Sequence, residues 1–290
     1  MSVKRTSVLF LCILLLSIMI IVLACSPVRT TPSFDGNPIR YTQQGSGKPA
    51  LVFVHCWCGD KSYWDNQVPI FSQNYRVVTL DLAGHGESGA NRQDWTMEAF
   101  GKDVVAVVEK LDLQQVILIG HSMGDAVIFE AAQRIPDRVI GLVGVDNMRN
   151  FEREIPAEQI DQFVAQLGEN FIENASEFVR SFFPADADSA LVEHIATDMA
   201  SAPPEIGLSA MTHLLNYMYK EALKEIHVPI RCINSDRYPT NVEANQKHAV
   251  SFEARIMPGI GHFGQLEDPE TFNRLLAETI IELSGMTTQK

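Results

Sequence analysis

Gly120-His121-Ser122-Met123-Gly124 separates the apolar run Val116-Ile117-Leu118-Ile119 from a stretch with helical spacing of apolar residues. A serine with glycine two positions away on either side suits a sharp strand-to-helix bend. The bend pushes Ser122 out above the strand ends and sets its Oγ at a helix N-terminus, where backbone N–H groups favour developing negative charge. The pentapeptide alone carries little weight, and its setting between a buried strand and a helix is what makes it specific. A serine hydroxyl needs a base to become nucleophilic near neutral pH. Gly259-Ile260-Gly261-His262-Phe263 follows the last apolar strand, and its glycines let a loop carry His262 back across the strand ends. A third group, a carboxylate, must accept the other imidazole N–H and steady the imidazolium. Asp146, at the end of an apolar strand in Gly144-Val145-Asp146-Asn147, and Asp236, ending Cys232-Ile233-Asn234-Ser235-Asp236, are the two candidates. Either preserves the chain order Ser, Asp, His.

Such side chains need a rigid frame. Short apolar runs at 50–55, 76–80, 115–120 and 139–145 are rich in Val, Leu and Ile and lack alternation. Strands covered on both faces read this way, as in a parallel sheet. Residues 96–111 and 123–134 have helical spacing, and strands alternating with helices imply right-handed crossovers over a central parallel sheet. Runs at 229–234 and 252–257 complete the sheet, with 39–44 expected as an edge strand between turns at Asp35-Gly36-Asn37-Pro38 and Gly45-Ser46-Gly47-Lys48. A final helix is expected over 269–284. Residues 147–226 are helical throughout. Ile160, Phe163, Val164 and Leu167 fall at helical spacing, Phe171, Phe178, Phe182 and Phe183 follow, and Pro184, Pro203 and Pro204 break the segment into pieces. This insertion is a cap over the strand ends, whose aromatics and Met199, Met211 and Met218 pack its own small core as well as an inner face.

With 290 residues the chain can bury one large core. A formal charge of −13 and the lack of a basic patch argue against nucleic acid as a partner. Lys4 and Arg5 precede an apolar run that ends in Val22-Leu23-Ala24-Cys25, the form of an export signal. Those last four residues resemble the bacterial lipobox. The resemblance implies a signal peptide over 1–24, lipidation of Cys25 as the mature N-terminus, and anchoring to a bacterial membrane. Ser26 next to it favours the outer membrane, facing the periplasm, in a diderm cell. Residues 25–33, with two prolines, read as a tether. The cysteines left after cleavage, Cys25, Cys56, Cys58 and Cys232, form no disulfide framework. His55-Cys56-Trp57-Cys58 looks like a metal cluster only superficially, because no second ligand pair follows at the spacing a zinc site needs. No metal or cofactor is expected.

Together, Val54-His55, Asp81-Leu82-Ala83-Gly84-His85-Gly86-Glu87-Ser88, the bend at Ser122 and Gly261-His262-Phe263 resemble the α/β-hydrolase superfamily from about Phe34 to the C-terminus. The resemblance implies an α/β-hydrolase fold: a mostly parallel central sheet flanked by helices, with a core of residues 34–146 and 227–290 and a helical cap at 147–226, between the family's sixth and seventh strands. It also implies an oxyanion hole made by the backbone N–H groups of Trp57 and Met123. Cys56 stands where the family usually has glycine. Most relatives carry the triad acid three residues beyond a glycine that ends the seventh strand. Ser235 replaces that glycine here, Tyr238 occupies the acid position, and Asp236 falls two residues early. Certain dehalogenases and pancreatic-type lipases instead use the position of Asp146, which is preferred here with Asp236 as the alternative acid. His85, Ser88, His121 and Asp125 are read as structural.

The expected activity is a carboxylesterase-like serine hydrolase acting on a small ester-like substrate, with an apolar group suggested by the phenylalanines and methionines. A halide-leaving dehalogenase would want Asp where Ser122 stands. A cofactor-free perhydrolase or a C–C bond hydrolase would keep the same triad. A non-catalytic surface binding module that retains the pocket is the reading from a different class.

Overall fold

The computed structural model describes residues 27–285. The expected signal over 1–24 and the lipidation candidate Cys25 lie outside the described residues. Eight strands form one sheet: β1 (Arg29–Pro32), β2 (Pro38–Gln44), β3 (Ala50–Val54), β4 (Arg76–Leu80), β5 (Val116–His121), β6 (Val139–Val145), β7 (Ile230–Ser235) and β8 (Phe252–Met257). Their spatial order is β1-β2-β4-β3-β5-β6-β7-β8. β1 and β2 pair antiparallel, as do β2 and β4, and every pair from β4 to β8 is parallel.

The unbroken apolar runs have a direct structural reason. β3 and β5 are buried at every position. Successive residues alternate between two cores, with Val52, Val54 and Leu118 on one face and Leu51, Phe53, Ile117 and Ile119 on the other. Two helices cover the first face, α1 (Met97–Lys110) and α2 (Met123–Arg134), through residues such as Phe100, Val104 and Phe129. Thr96 caps α1 by accepting from the Ala99 N–H.

The insertion between β6 and β7 is helical, comprising α3 (Ala157–Glu169), α4 (Phe171–Arg180), α5 (Ser189–Ala200) and α6 (Pro204–Leu215). Pro204 starts α6 as its first residue, where the missing N–H costs nothing. Ile160, Leu167, Phe171, Met199 and Met211 are buried, whereas Met218 is 41% exposed and does not belong to the cap's core as expected. The last helix, α7 (Pro269–Ser284), is capped by Asp268 and lays Phe272, Leu276 and Ile280 on the second core. Among the described residues no helix is long and apolar enough to cross a membrane.

The tether expectation needs correction. Residues 29–32 of the expected tether are a strand. Thr31 pairs with Ile39 across the Asp35-Gly36-Asn37 turn, which Ser33 N–H closes on the Asn37 carbonyl at 2.8 Å. The polar, proline-flanked composition hid a hairpin partner, and β2 is consequently not the edge of the sheet. Asp125, read as structural, lies in the first turn of α2. It is fully buried there, no side chain partners either carboxyl oxygen, and burial pushes its pKa well above the usual carboxylate range.

A carboxyl with a raised folded-state pKa stays protonated while the unfolded chain ionises, so stability falls as pH rises past its ordinary value. Asp125→Asn removes that dependence. Its melting midpoint should gain on the wild type steadily from about pH 4 to about pH 8. Parallel midpoints across that range would show that Asp125 does not titrate in this way.

Candidate active site

Ser122 follows the end of β5 with φ 54° and ψ −112°, and α2 begins at the next residue. This left-handed backbone is uncommon outside glycine and aims the side chain away from the helix. The Ser122 side chain caps no N–H of α2, and Ser122 is among the residues that line a cavity. The bend is held from both sides. Ser122 N–H donates to the Val145 carbonyl at 3.0 Å, and the Ser122 carbonyl accepts from Asp125 N–H and Asn147 Nδ2, each at 3.0 Å. A Cβ on Gly120 would come within 2.4 Å of the Gly124 backbone, so strand and helix can close here only through glycine.

His262 donates from Nδ1 to Asp146 Oδ2 at 2.6 Å, which leaves Nε2 as the acceptor nitrogen. The other Asp146 oxygen accepts from Ser235 N–H at 2.6 Å and from the Arg149 guanidinium at 2.5 Å. Burial alone would raise the Asp146 carboxyl. The His262 hydrogen bond and charge, then Arg149 and the Ser235 N–H, bring it down to about 2. Asp236, the alternative acid, accepts from Gly259 N–H at 3.0 Å and makes no bond to His262. The His262 ring bonds only to Asp146, so Ser122 is not yet bonded to Nε2. Such contacts commonly tighten when substrate binds.

The loop bearing His262 is clamped on several sides. Glu267 accepts from the N–H groups flanking the histidine, Gly261 at 2.8 Å and Phe263 at 2.9 Å. The His262 N–H donates to the Phe182 carbonyl of the cap at 3.2 Å. A Cβ on Gly261 would meet that carbonyl at 2.5 Å, so the close approach requires glycine. His121 donates from Nε2 to the His262 carbonyl at 2.9 Å and accepts at Nδ1 from Gln265. Burial lowers the His121 pKa to about 3, which keeps the ring neutral and fit for both bonds.

Trp57 and Cys56 line the same cavity as Ser122 and His262. Met123 opens α2, so its N–H has no carbonyl a turn earlier to bond. The Trp57 indole donates to the Gly207 carbonyl of α6 at 2.7 Å, and its ring meets Phe171 and Phe178 edge-on. The loop therefore leans on the cap. His55 donates from Nδ1 to the Cys56 carbonyl at 2.8 Å and accepts at Nε2 from Leu82 N–H at 3.0 Å. Both ring nitrogens are thus spent on backbone partners. Burial pushes the Cys56 and Cys58 thiols up, away from thiolate chemistry. The cavity holds about 260 Å³, and the cap's Phe178, Phe182, Met199 and Met211 supply much of its apolar wall.

Sequence reasoning did not single out Asn147, Arg149 or Glu267. None carries a motif, and their roles come from contacts across the fold. Gly120→Ala tests the bend without touching any proposed reacting group. The clash with the Gly124 backbone should cost roughly 1–3 kcal/mol of over-packing and lower the unfolding midpoint by several degrees. An unchanged midpoint by circular dichroism would show that the bend has slack.

The alpha/beta hydrolase fold family matches residues 49–197. Karrikin insensitive 2 receptor CA of Petunia hybrida is 25% identical over 241 residues, covering 78% of this chain and 89% of that protein. A bromoperoxidase from Bacillus anthracis superposes with a TM-score of 0.78 at 22% identity, covering 88% of this chain and all of that one. A thermophilic esterase from Thermogutta terrifontis gives 0.76 at 21% identity, over 89% of this chain and 99% of that one. With the parallel sheet, the bend after β5 and the cap after β6, these matches establish that the chain belongs to the alpha/beta hydrolase family.

Proposed function

We propose that this protein is a serine hydrolase of ester-like substrates that works through an acyl-enzyme on Ser122. The observation that carries the reading is the 2.6 Å bond from His262 Nδ1 to Asp146, which leaves Nε2 available as a base in the cavity that Ser122 lines. Ser122 Oγ attacks the carbonyl carbon as His262 Nε2 takes its proton. The Trp57 and Met123 N–H groups receive the tetrahedral oxyanion. The imidazolium returns its proton to the leaving alcohol. Water, deprotonated by the same nitrogen, then attacks the acyl carbon, and as the Ser122 Oγ–acyl bond breaks the imidazolium returns its proton to Oγ and the acid leaves. Asp146 is held at about 2, so it stays ionised through this cycle at neutral pH and steadies the imidazolium. The esterase from Thermogutta terrifontis among the structural relatives is consistent with this chemistry.

We read Cys25 as the acylated mature N-terminus that ties the enzyme to a bacterial membrane, on the strength of Val22-Leu23-Ala24-Cys25 behind a basic start. Stable anchoring needs more than one acyl chain, which this modification supplies. Cells fed labelled palmitate should mark the wild type and not Cys25→Ala. Label retained by the variant would remove the anchor from this account.

A fluorophosphonate probe should label the wild type covalently, and Ser122→Ala should neither label nor turn over nitrophenyl esters while keeping its melting midpoint. Asp146→Asn should lower kcat by roughly 10³–10⁴-fold, because the imidazole loses its tautomer and counter-charge. Asp236→Asn should stay near wild type. Full activity in Ser122→Ala, or the reverse order for the two aspartates, would overturn the assignment.

A further inference from the structure

Taken residue by residue, the cavity wall departs from the charge of the chain around it. The protein carries 36 acidic side chains against 23 basic ones. The cavity is lined by one carboxylate, Asp146, and two guanidiniums, Arg149 and Arg153. Arg149 is fully committed. It bonds Asp146 at 2.5 Å and the Ser235 hydroxyl at 3.0 Å, and it also donates to the Tyr238 carbonyl. The carboxylate in the wall is thereby neutralised from within the protein.

Arg153 is different. Its guanidinium forms no ion pair or hydrogen bond among the described residues, although acidic residues flank it in sequence. Glu152 is drawn to His248 at 3.0 Å, and Glu154 lies 4.0 Å from Lys220. Both neighbouring carboxylates thus face other side chains, which leaves the Arg153 guanidinium without a direct partner on the rim of the cavity. A guanidinium at the mouth of a cleft draws in an anionic group and disfavours a cationic one over about a Debye length.

We infer that the substrate is an ester bearing a single carboxylate away from its scissile carbonyl, and that Arg153 is the residue that selects it. The inference rests on the serine-hydrolase reading above and adds the substrate class. The guanidinium fork matches a carboxylate bidentately. A phosphate dianion would call for a second free cation, and Arg149 is already occupied. The apolar cap residues take the hydrocarbon part between the two polar ends. Arg153 is exposed at the rim, so the pairing acts on affinity more than on the chemical step and is weakened by salt.

The test compares 4-nitrophenyl hydrogen adipate with its neutral methyl ester, which has the same reacting end. Wild type should favour the carboxylate-bearing ester by about two- to fivefold in kcat/KM, mostly through KM, at low ionic strength. Arg153→Gln should bring that ratio close to one, and Arg153→Glu should invert it. Fluorophosphonate labelling gives a readout without turnover: adipate should slow labelling of Ser122 in wild type and lose that effect in Arg153→Gln. Normal labelling together with a charge-blind ratio, or adipate protection that survives in Arg153→Gln, overturns this inference alone. Failure of Ser122 to label overturns the serine-hydrolase reading and this one with it.

Discussion

The Asp146 carboxylate joins parts of the molecule that are remote in sequence. One oxygen orients the His262 ring, 116 residues away, and the other gathers Ser235 N–H from β7 and Arg149 from the start of the insertion. Asp146 N–H itself donates to the Ile233 carbonyl, so the backbone beneath the carboxylate is fixed by the sheet. Its neighbour Asn147 bonds the Ser122 carbonyl. The proposed nucleophile, base and acid are therefore positioned from one point, the end of β6. Truncating a buried, paired charge typically costs several kcal/mol, because its partners are left desolvated and unpaired.

That arrangement explains why the insertion is more than a cover. Its first residues carry Arg149 onto the acid, its Phe182 carbonyl receives His262 N–H, and its Gly207 carbonyl receives the Trp57 indole. Cap, His262 loop and Trp57 loop are thus linked by directional bonds as well as by apolar contact. Displacing the end of α4 would disturb the proposed base, and displacing α6 would disturb Trp57. The cap's inner face is apolar, and the segment that enters it brings the positive charge. Shape and charge in the cavity thus come from different parts of the same insertion.

How much of this was legible beforehand follows from how local each signal is. The bend at Ser122 could be read because strand, glycines and helix are contiguous, and His262 because its glycines flank it. β3 to β7 declared themselves through apolar runs, since burial on both faces leaves little room for polar residues, whereas β8 is the outer strand and buries only Phe252 and Met257. β1 did not, because a four-residue strand with one buried side chain has almost no pattern to offer. The acid remained open between Asp146 and Asp236 because the choice turns on which strand end faces His262, a relation across 116 residues. The Glu267 clamp and the pairing of Glu152 and Glu154 with His248 and Lys220 were invisible for the same reason. Asp125 could be read as structural from its place at a helix start, while its depth in the core is a tertiary fact.

Backbone strain follows the same geography. Apart from Asp112 and Gln115, the described non-glycine residues with φ in the left-handed region are Cys58, Ser122, Asp146 and Met148. Each of these four lies just beyond the C-terminal end of β3, β5 or β6, where the parallel strands open onto the cavity. Such conformations cost of order 1 kcal/mol or more each and persist only where the surroundings over-determine them. Three adjacent strands with almost no solvent contact supply that rigidity, and the chain reverses sharply as it leaves each of them. A parallel sheet places all these exits on one side, so the strain and the chemistry-bearing side chains collect at the same rim. The order is causal in one direction: buried strands fix the exits, the exits force the unusual backbone, and the unusual backbone aims Ser122 and Asp146.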